Sequence, residues 1–434
     1  MKTKLSLLLI LLMAVLIQPT IGQEKNPVDE GTLKEWLPTM LGSTNSGNEF
    51  YLTFHPCWET TGGTDNFLKV YVSSGVATTV TVKVEAKGYE QQQKTVPNSI
   101  IVFNLPPNIG QPYAKSDREL PEDDQVWKKH AVHVYAEDPI ICYGVTRFQY
   151  TSDGYLAIPV HSLGKEYIIA SWTDIGSNTN PGGQFLSSYT SCVSPYDKTK
   201  VRFTGGGPSF SKTTTGIGVG ESKTYNMNRG DVLLMASIGS YSDLTGSKFT
   251  ANKNVTAISG NFCSYVPEFT PACDFMIEQE LPTFTWGTEY HVTPIYKREK
   301  NSWIKIFAKQ SGTYIYRDGV LFGELTKGGG AREGECYLSQ RVLDDTQEPR
   351  PVVISSNKPI SVTQYNPGMS DDGVPSDPFQ LVLTPIEQFQ TEIIFNTPGY
   401  QGDGFQENYI NIVYEGTPEG TIPDDFEFAK VEDG

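Results

Sequence analysis

The sequence repeats itself at intervals of 103 to 123 residues, and this repeat restricts the possible folds more than any other feature. A tetrad of glycine, any residue, glutamate and an aromatic residue occurs at 47–50, 164–167 and 287–290. A degraded copy, in which glutamine replaces glycine, follows at 390–393. An interval of this length is the size of one β-sandwich, whereas solenoids and propeller blades repeat at about 20 to 50 residues. The tetrad glutamates are Glu49, Glu166, Glu289 and Glu392.

Other segments recur in step with the tetrads. A proline lies seven residues before the glutamate in the last three copies, as Pro159, Pro282 and Pro385. An apolar strand also recurs after the tetrad, and a triplet that ends in isoleucine or valine recurs later in each unit. We align the strands at 68–71, 200–203, 304–307 and 410–413, and the triplets at 138–140, 253–255 and 358–360.

The repeat predicts three complete β units, at 47–163, 164–286 and 287–389. A signal peptide at 1–22 and a linker at 23–46 precede them, and 390–434 begins a fourth unit. That last unit stops before its later segments appear, which favours a fragment of a longer protein over a chain that closes with a half unit.

The spacing of turn residues along the chain indicates an all-β fold. Short runs rich in Val, Ile, Thr, Tyr and Phe are broken every 8 to 12 residues by Gly, Pro, Asn or Asp, a pattern typical of sandwiches and barrels. No long segment places apolar residues at helical spacing. We therefore expect tandem β-sandwich-like units of about 100–120 residues with little helix.

The N-terminus indicates export. Lys2 and Lys4 precede an apolar run at 5–17, and Gly22 supplies a small residue for cleavage. The run is shorter than the roughly 20 residues that a membrane-spanning helix needs, and no similar run follows. We expect a protein that is secreted or held at the cell surface, with no membrane span after cleavage.

Six cysteines on an oxidising route allow 15 disulfide pairings. We expect Cys263 and Cys273 to pair, because they are nearest in sequence and bracket a loop that contains proline. The pairing of Cys57, Cys142, Cys192 and Cys336 stays open. No Cys-x-x-Cys motif or Cys/His cluster favours a metal, and we expect neither metal nor cofactor.

The net charge of −16 makes nucleic acid and anionic lipid poor partners. Acidic clusters at 122–124 and 371–372 are interpreted as solvated loops. The repeated glutamate has two interpretations. It is a polar edge residue between a turn glycine and a core aromatic, which we favour, or a ligand site that occurs once per unit.

Catalytic patterns do not stand out. Nucleophile-elbow, Walker and zinc-protease motifs are absent from the sequence, and the glycine runs are interpreted as hairpin loops. His55 and Cys57 are two apart and would share a strand face, as a thiol–imidazole pair requires, although a buried or disulfide role is favoured. His130 and His133 would point to opposite faces of a strand. A pair of carboxylates that meets only in the fold stays open.

Several blocks of the chain resemble the N-terminal domain family of the IgG Fc-binding proteins, over about 47 to 415. These blocks are 47–58, the Cys-x-x-Val-Pro stretch at 263–267, Cys273-Asp274, the Trp-Gly-Thr-Glu-Tyr stretch at 286–290, and 312–319. The resemblance implies a secreted or surface protein with no known catalytic centre. The family takes its name from Fc binding by an animal member, and no residue motif for that activity can be carried over.

Immunoglobulin is not the natural ligand that we expect, unless the family activity carries over. The plain leader, the Gln23-Glu24 start and the absence of mucin-type cysteine-rich modules favour a bacterial origin. Three hypotheses remain. The first is a non-enzymatic binding or adhesion module for an extracellular protein or glycan, the second a structural spacer of a longer surface protein, and the third an exported hydrolase.

Overall fold

The computed structural model of the chain describes residues 45–59, 66–122, 125–176, 183–326, 336–344, 346–390, 395 and 408–414. The expected signal peptide, 1–22, lies outside the described residues. So do Glu392 and the remainder of the fourth tetrad after residue 390.

The expected all-β fold is confirmed. The described residues contain 22 strands, one four-residue helix, α1 (Pro107–Gly110), and five 3-10 turns of three residues. The strands are rich in β-branched and aromatic residues, which pack well on a pleated surface. Glycine, proline and asparagine end them within a few residues, so little helix is left.

The strands form three antiparallel sheets of seven, eight and seven strands. The first sheet contains β1 (Gly47–Leu52), β2 (Phe67–Ser74), β3 (Thr79–Val84), β4 (Tyr89–Lys94), β5 (Ser99–Leu105), β7 (Val132–Arg147) and β8 (Ser152–Leu156). The second contains β6 (Gln125–Trp127), β9 (Gly164–Ile168), β10 (Ser188–Val193), β11 (Thr199–Thr204), β12 (Ser222–Met227), β13 (Val232–Ala236), β14 (Lys248–Ser264) and β15 (Asp274–Gln279). The third contains β16 (Gly287–Val292), β17 (Trp303–Ala308), β18 (Thr313–Arg317), β19 (Val320–Leu325), β20 (Cys336–Arg341), β21 (Val352–Asn366) and β22 (Phe379–Val382).

One long strand organises each sheet: β7, β14 and β21 have 16, 17 and 15 residues. The first half of β7 pairs with β1 and β3, and its second half pairs with β2 and β8. A bulge separates the halves, so that the tetrad glycine Gly47 lies opposite Ile140, the last residue of the recurring triplet. Gly164 faces Val255 and Gly287 faces Ile360 in the same way. A bulge bends its strand, and this explains how one strand serves both halves of a curled sheet.

The tetrad glycine is needed for a close approach. A β-carbon at Gly164 would lie 2.3 Å from the β-carbon of Pro282, and the equivalent distance is 2.5 Å for Gly47 with Pro159 and for Gly287 with Pro385. Each of these prolines precedes a 3-10 turn. The recurring proline follows the last strand of each sheet and therefore packs on the first strand of that same sheet.

The tetrad aromatic is a core residue with a further role. The Tyr167 hydroxyl accepts a hydrogen bond from the Gly164 amide and donates one to the Val255 carbonyl, both at 2.7 Å. Tyr290 makes the same two bonds in the third sheet. In the first sheet phenylalanine stands at this position, and the side-chain amide of Asn48 donates to the carbonyl of Glu137. The hydroxyl thus satisfies backbone groups that the bulge leaves unpaired.

The predicted alignment of one inner strand is wrong. Residues 200–203 lie in β11, which takes the place of β3 and β18, while β10 takes the place of β2 and β17. The long segment 169–187 lies between β9 and β10. The apolar run that looked equivalent to β2 and β17 is therefore the strand after β10. The strand expected at 410–413 is also absent, since 408–414 is described without sheet pairing.

The acidic pair Asp371 and Asp372, expected in a solvated loop, is buried in ion pairs. Asp372 lies 2.9 Å from Arg298, and Asp371 lies 2.9 Å from Arg341. Both carboxylates are almost fully covered. Charges that are paired and hydrogen-bonded tolerate burial, and a sequence cluster alone does not reveal such partners.

The sheets pack against one another. The core around the first sheet includes Ile258, Phe275 and Ile277 of the second. Strand β6 lies within the expected first unit, yet it is hydrogen-bonded to β13 of the second sheet. Between the third and the second sheet, the buried Lys305 ammonium of β17 donates to the Ser171 carbonyl at 2.6 Å.

We expect Gly164→Ala to lower the free energy of unfolding by about 1–3 kcal/mol, because the added methyl group would overlap the rigid ring of Pro282. Urea unfolding followed by tryptophan fluorescence measures the change. Gly75→Ala is the control, since a β-carbon there meets no atom within 4 Å. Equal losses in the two variants would show that the glycine–proline contact is not what the tetrad requires.

Candidate functional site

The described tetrad glutamates lie apart, one in each sheet, and each has a basic neighbour. Glu49 lies 2.9 Å from His133, and Glu289 lies 3.2 Å from His291. Glu166 lies 3.2 Å from both Lys248 and Lys309. Among the described residues no group of three His, Cys, Asp or Glu side chains could hold a metal ion. The geometry is that of polar residues at a strand edge.

Cys263 and Cys273 are joined by a disulfide, with their α-carbons 5.2 Å apart. Cys57, Cys142 and Cys192 are buried free thiols, and the side chain of Cys336 lies outside the described part of the structure. Burial raises the pKa of all three thiols. They are therefore protonated and weakly reactive at neutral pH.

His55 and Cys57 do not form a thiol–imidazole pair. The His55 Nε2 atom lies 2.8 Å from Ser191 Oγ, whereas the Cys57 sulfur lies 3.5 Å from the Glu59 carbonyl. Burial lowers the pKa of His55 to about 3. Sequence reasoning missed this serine–histidine contact, because its partners lie 136 residues apart, one after β1 and the other on β10.

The serine–histidine contact is not a catalytic arrangement. Both side chains are fully buried, and within the described residues His55 Nδ1 has no hydrogen-bond partner. A catalytic histidine of this kind is oriented by a carboxylate at Nδ1 and faces a substrate. The contact instead ties the segment after β1 to β10.

A groove lies where the first sheet meets a turn of the second. Tyr51, His133 and Lys83 lie side by side on β1, β7 and β3, because β7 pairs His133 with both of the others. The Tyr51 and His133 rings are stacked with centroids 4.3 Å apart, and Tyr135 lies 4.7 Å beyond. We call this site the junction groove. Its volume is about 200 Å³, and it is lined by Tyr51, Lys83, Glu85, Lys129, Ala131, His133, Tyr135, Arg229 and Gly230.

The junction groove is rich in cations. Lys83, Lys129 and Arg229 line it beside one carboxylate, Glu85. Arg229 comes from the turn between β12 and β13 of the second sheet. The hydrogen bond from His133 lowers the pKa of Glu49, and the charge of Arg229 adds to this effect. Of the residues that line the groove, only His133 was singled out from the sequence, as one of two histidines expected on opposite faces of a strand.

A second pocket, of about 440 Å³, lies among β8, β15 and β22, the last strands of the three sheets. Two half-buried carboxyls, Asp153 and Glu278, line it, and burial raises the pKa of each. Asp153 accepts hydrogen bonds from the amides of Gly154 and Ile277, both at 2.8 Å. We call this the carboxylate pocket. Its acids connect neighbouring strands. They are also candidates for the carboxylate pair that the sequence leaves open.

Two further buried acids lie on or just after β15. Burial raises the pKa of Asp274 and of Glu280 to about 7 in each case. Glu280 accepts hydrogen bonds from the Ala170 amide at 2.7 Å and from the Ser259 hydroxyl. The cost of desolvating the carboxylate exceeds what these two bonds return.

Three repeated all-β sheets, packed together with clefts where they meet, define a tandem β-repeat protein. The chain belongs to the IgGFc binding protein family, whose profile matches residues 153–431. The resemblance inferred from sequence is thereby confirmed. The match starts at β8, so it leaves out most of the first sheet, which the resemblance had included.

A human protein named IgGFc-binding protein is 26% identical to this chain over 282 residues. The aligned region covers 63% of this chain and 5% of the human protein, so the chain spans a small part of that relative's length. The solved structure of an α-L-rhamnosidase from Dictyoglumus thermophilum is a weak match to this chain. It shares 11% identity over 74% of this chain and 50% of its own, with a TM-score of 0.12, which carries no argument.

The described residues contain no helix that is long and apolar enough to cross a membrane. This finding concerns helices in that part of the chain alone.

We expect Glu280→Gln to change how stability depends on pH. The pKa of Glu280 is about 7 in the folded chain against an ordinary 4.5, so the folded state binds more protons between these values. The free energy of unfolding therefore falls as pH rises through this window. In the variant this fall, from about pH 5 to about pH 8, should be smaller by about 1–3 kcal/mol.

Urea unfolding at several pH values measures the effect. The exposed Glu268 supplies the control variant Glu268→Gln, which should keep the wild-type pH profile. A Glu280→Gln profile that runs parallel to wild type would contradict the raised pKa.

Proposed function

We propose that this chain is a non-enzymatic binding or adhesion protein that acts outside the cell, on an extracellular protein or glycan. The junction groove carries the proposal. Its aromatic and cationic side chains line an open cleft between two sheets, in a chain whose net charge is strongly negative. Aromatic rings bind apolar faces of a ligand, and charged groups beside them bind its polar atoms and fix its orientation.

The family supports binding rather than chemistry. The human relative is named for binding the Fc region of IgG, and that name describes the relative. For this chain immunoglobulin is one candidate among extracellular ligands and not the one that we expect. Its bacterial origin also stays a prediction.

A structural spacer in a longer surface protein is the alternative that the packing favours. Lys305 of the third sheet is held by Ser171, Asp243 and Thr245 of the second, at 2.6, 3.2 and 2.9 Å. Its ammonium also lies 4.7 Å from the centre of the Trp172 ring. Contacts of this kind would hold the two sheets in a fixed orientation, which suits a spacer as well as a binding module.

An exported hydrolase is the third candidate, and the carboxylate pocket is the observation that favours it. Asp153 and Glu278 line one pocket, and each has a raised pKa, as a general acid requires. However, both oxygens of Asp153 already accept backbone hydrogen bonds. A structural role accounts for these bonds without any chemistry.

Purified residues 23–434, immobilised and exposed to a glycan array and to extracellular protein extracts, should retain a defined ligand. Immunoglobulin Fc is included as a separate arm. The chain unfolded in urea is the control, because a folded groove is required for binding. Failure of the folded chain to retain any ligand more strongly than the unfolded one would overturn the binding proposal.

A panel of glycosidase and esterase substrates tests the third candidate. We expect wild type, Asp153→Asn and Glu278→Gln to show the same background turnover, since the two acids serve to connect strands. Loss of a general acid typically costs about 10²–10⁴-fold in rate. Turnover in wild type that falls by this much in either variant, but not in Glu268→Gln, would show that the chain is an enzyme.

A further inference from the structure

We propose that the junction groove binds an anionic sugar residue, one that carries a carboxylate or a sulfate group. This inference rests on the proposed function and names the class of ligand. It is carried by three features of the groove: a row of aromatic rings, three lining cations beside one lining carboxylate, and an arginine whose guanidinium has no hydrogen bond or ion pair among the described residues.

The aromatic row ends at Tyr135, a partly exposed ring that lines the groove. The rings of Tyr51 and His133 are nearly parallel, at an interplanar angle of 10°, and Tyr135 continues the row. Tyr51 is itself buried, and because stacked rings cover one another's faces, Tyr135 is the ring that remains for a ligand. One face of a sugar ring presents only C–H groups, which carry a slight positive charge and are attracted to the negative face of an aromatic ring.

The cations select for negative charge. Lys83 and Lys129 each have an acidic partner, Glu90 at 3.3 Å and Glu85, and these ion pairs are exposed. Exposed ion pairs contribute only about 0–1 kcal/mol, so an incoming anion can share either lysine at little cost. Glu85 then remains as an acceptor for a sugar hydroxyl.

Arg229 is the decisive residue. Its backbone amide donates to Asp197 at 3.1 Å, but within the described part of the chain its guanidinium has no hydrogen bond or ion pair. Its side chain is exposed at the edge of the groove. A guanidinium presents two parallel N–H donors that match a carboxylate or a sulfate, and such charge-assisted bonds are about twice as strong as neutral ones.

The size of the groove limits what it holds. Its volume of about 200 Å³ is below the roughly 300–1,000 Å³ that is usual for drug-sized ligands. The groove therefore accommodates one ring, such as the terminal residue of a longer glycan. Because the groove is an open cleft with exposed residues at its edge, the rest of such a glycan can extend into solvent.

Binding of three sets of oligosaccharides to residues 23–434 tests the inference by isothermal titration. One set ends in a carboxylate-bearing sugar, one in a sulfated sugar, and one in the neutral sugar of the same backbone. At least one anionic set should bind about tenfold or more tightly than its neutral counterpart, and higher salt should weaken this binding. The first two sets decide which anion is preferred.

Arg229→Ala should weaken binding of the anionic set by about tenfold or more, as loss of a charge-assisted bidentate contact does. Arg202→Ala is the matched control, because it removes the same charge from an exposed position on β11 away from the groove. Tyr135→Val removes the platform ring while keeping a residue suited to a strand, and it should weaken binding of all sets alike. Circular dichroism checks that each variant is folded.

The failures are distinguishable. If the chain retains a ligand on the array but Arg229→Ala and Arg202→Ala bind it equally, the groove inference is wrong and the binding function stands. Equal affinity for anionic and neutral sugars would overturn the inference as well. If the folded chain retains no ligand of any kind, both the inference and the proposed function are wrong.

Discussion

The bulge in the long strand of each sheet is the constraint on which the rest of the structure depends. It lets one strand pair with two sets of partners, and it places the tetrad glycine against the triplet. A side chain at that glycine would overlap a proline, and the backbone groups at the bulge need a partner, which Tyr167 and Tyr290 supply. One local requirement thus fixes three separated sequence positions, and this is why they recur together.

The last strands of neighbouring sheets also lie close together. The 3-10 turn after each proline packs beside the first strand of its sheet, and the last strand β15 of the second sheet contacts both β8 and β22. Their polar groups are then connected by side chains such as Asp153 and Gln279, which accept amide hydrogen bonds from Ile277 and Ile158 respectively. Removing a carboxylate from water is costly unless it accepts several hydrogen bonds, so the raised pKa of Asp153 follows from this packing.

The sequence predicts what is periodic and misses what is not. The all-β class and the glycine, glutamate and aromatic pattern follow from local rules of turn and strand chemistry, which operate within a few residues. Alignment by apolar runs failed at 200–203, since the loop before β10 is longer than its counterparts. The Arg298–Asp372 pair and the Ser191–His55 contact join distant residues, and no local pattern marks them.

The junction groove was hidden for a related reason. Its rings come from β1 and β7, its lysines from β3 and the turn before β7, and Arg229 from another sheet. None of these residues is unusual where it stands, and the repeat does not reproduce them. In the third sheet His291, beside Glu289, takes the position of Tyr51, and its partner across the strands is Val353 where the first sheet has His133. If the units of a tandem protein are to differ in function, recognition must depend on residues that differ between the repeats. The bulge has the same geometry in all three sheets and supplies the frame, and the residues that the repeat leaves free determine what each junction can bind.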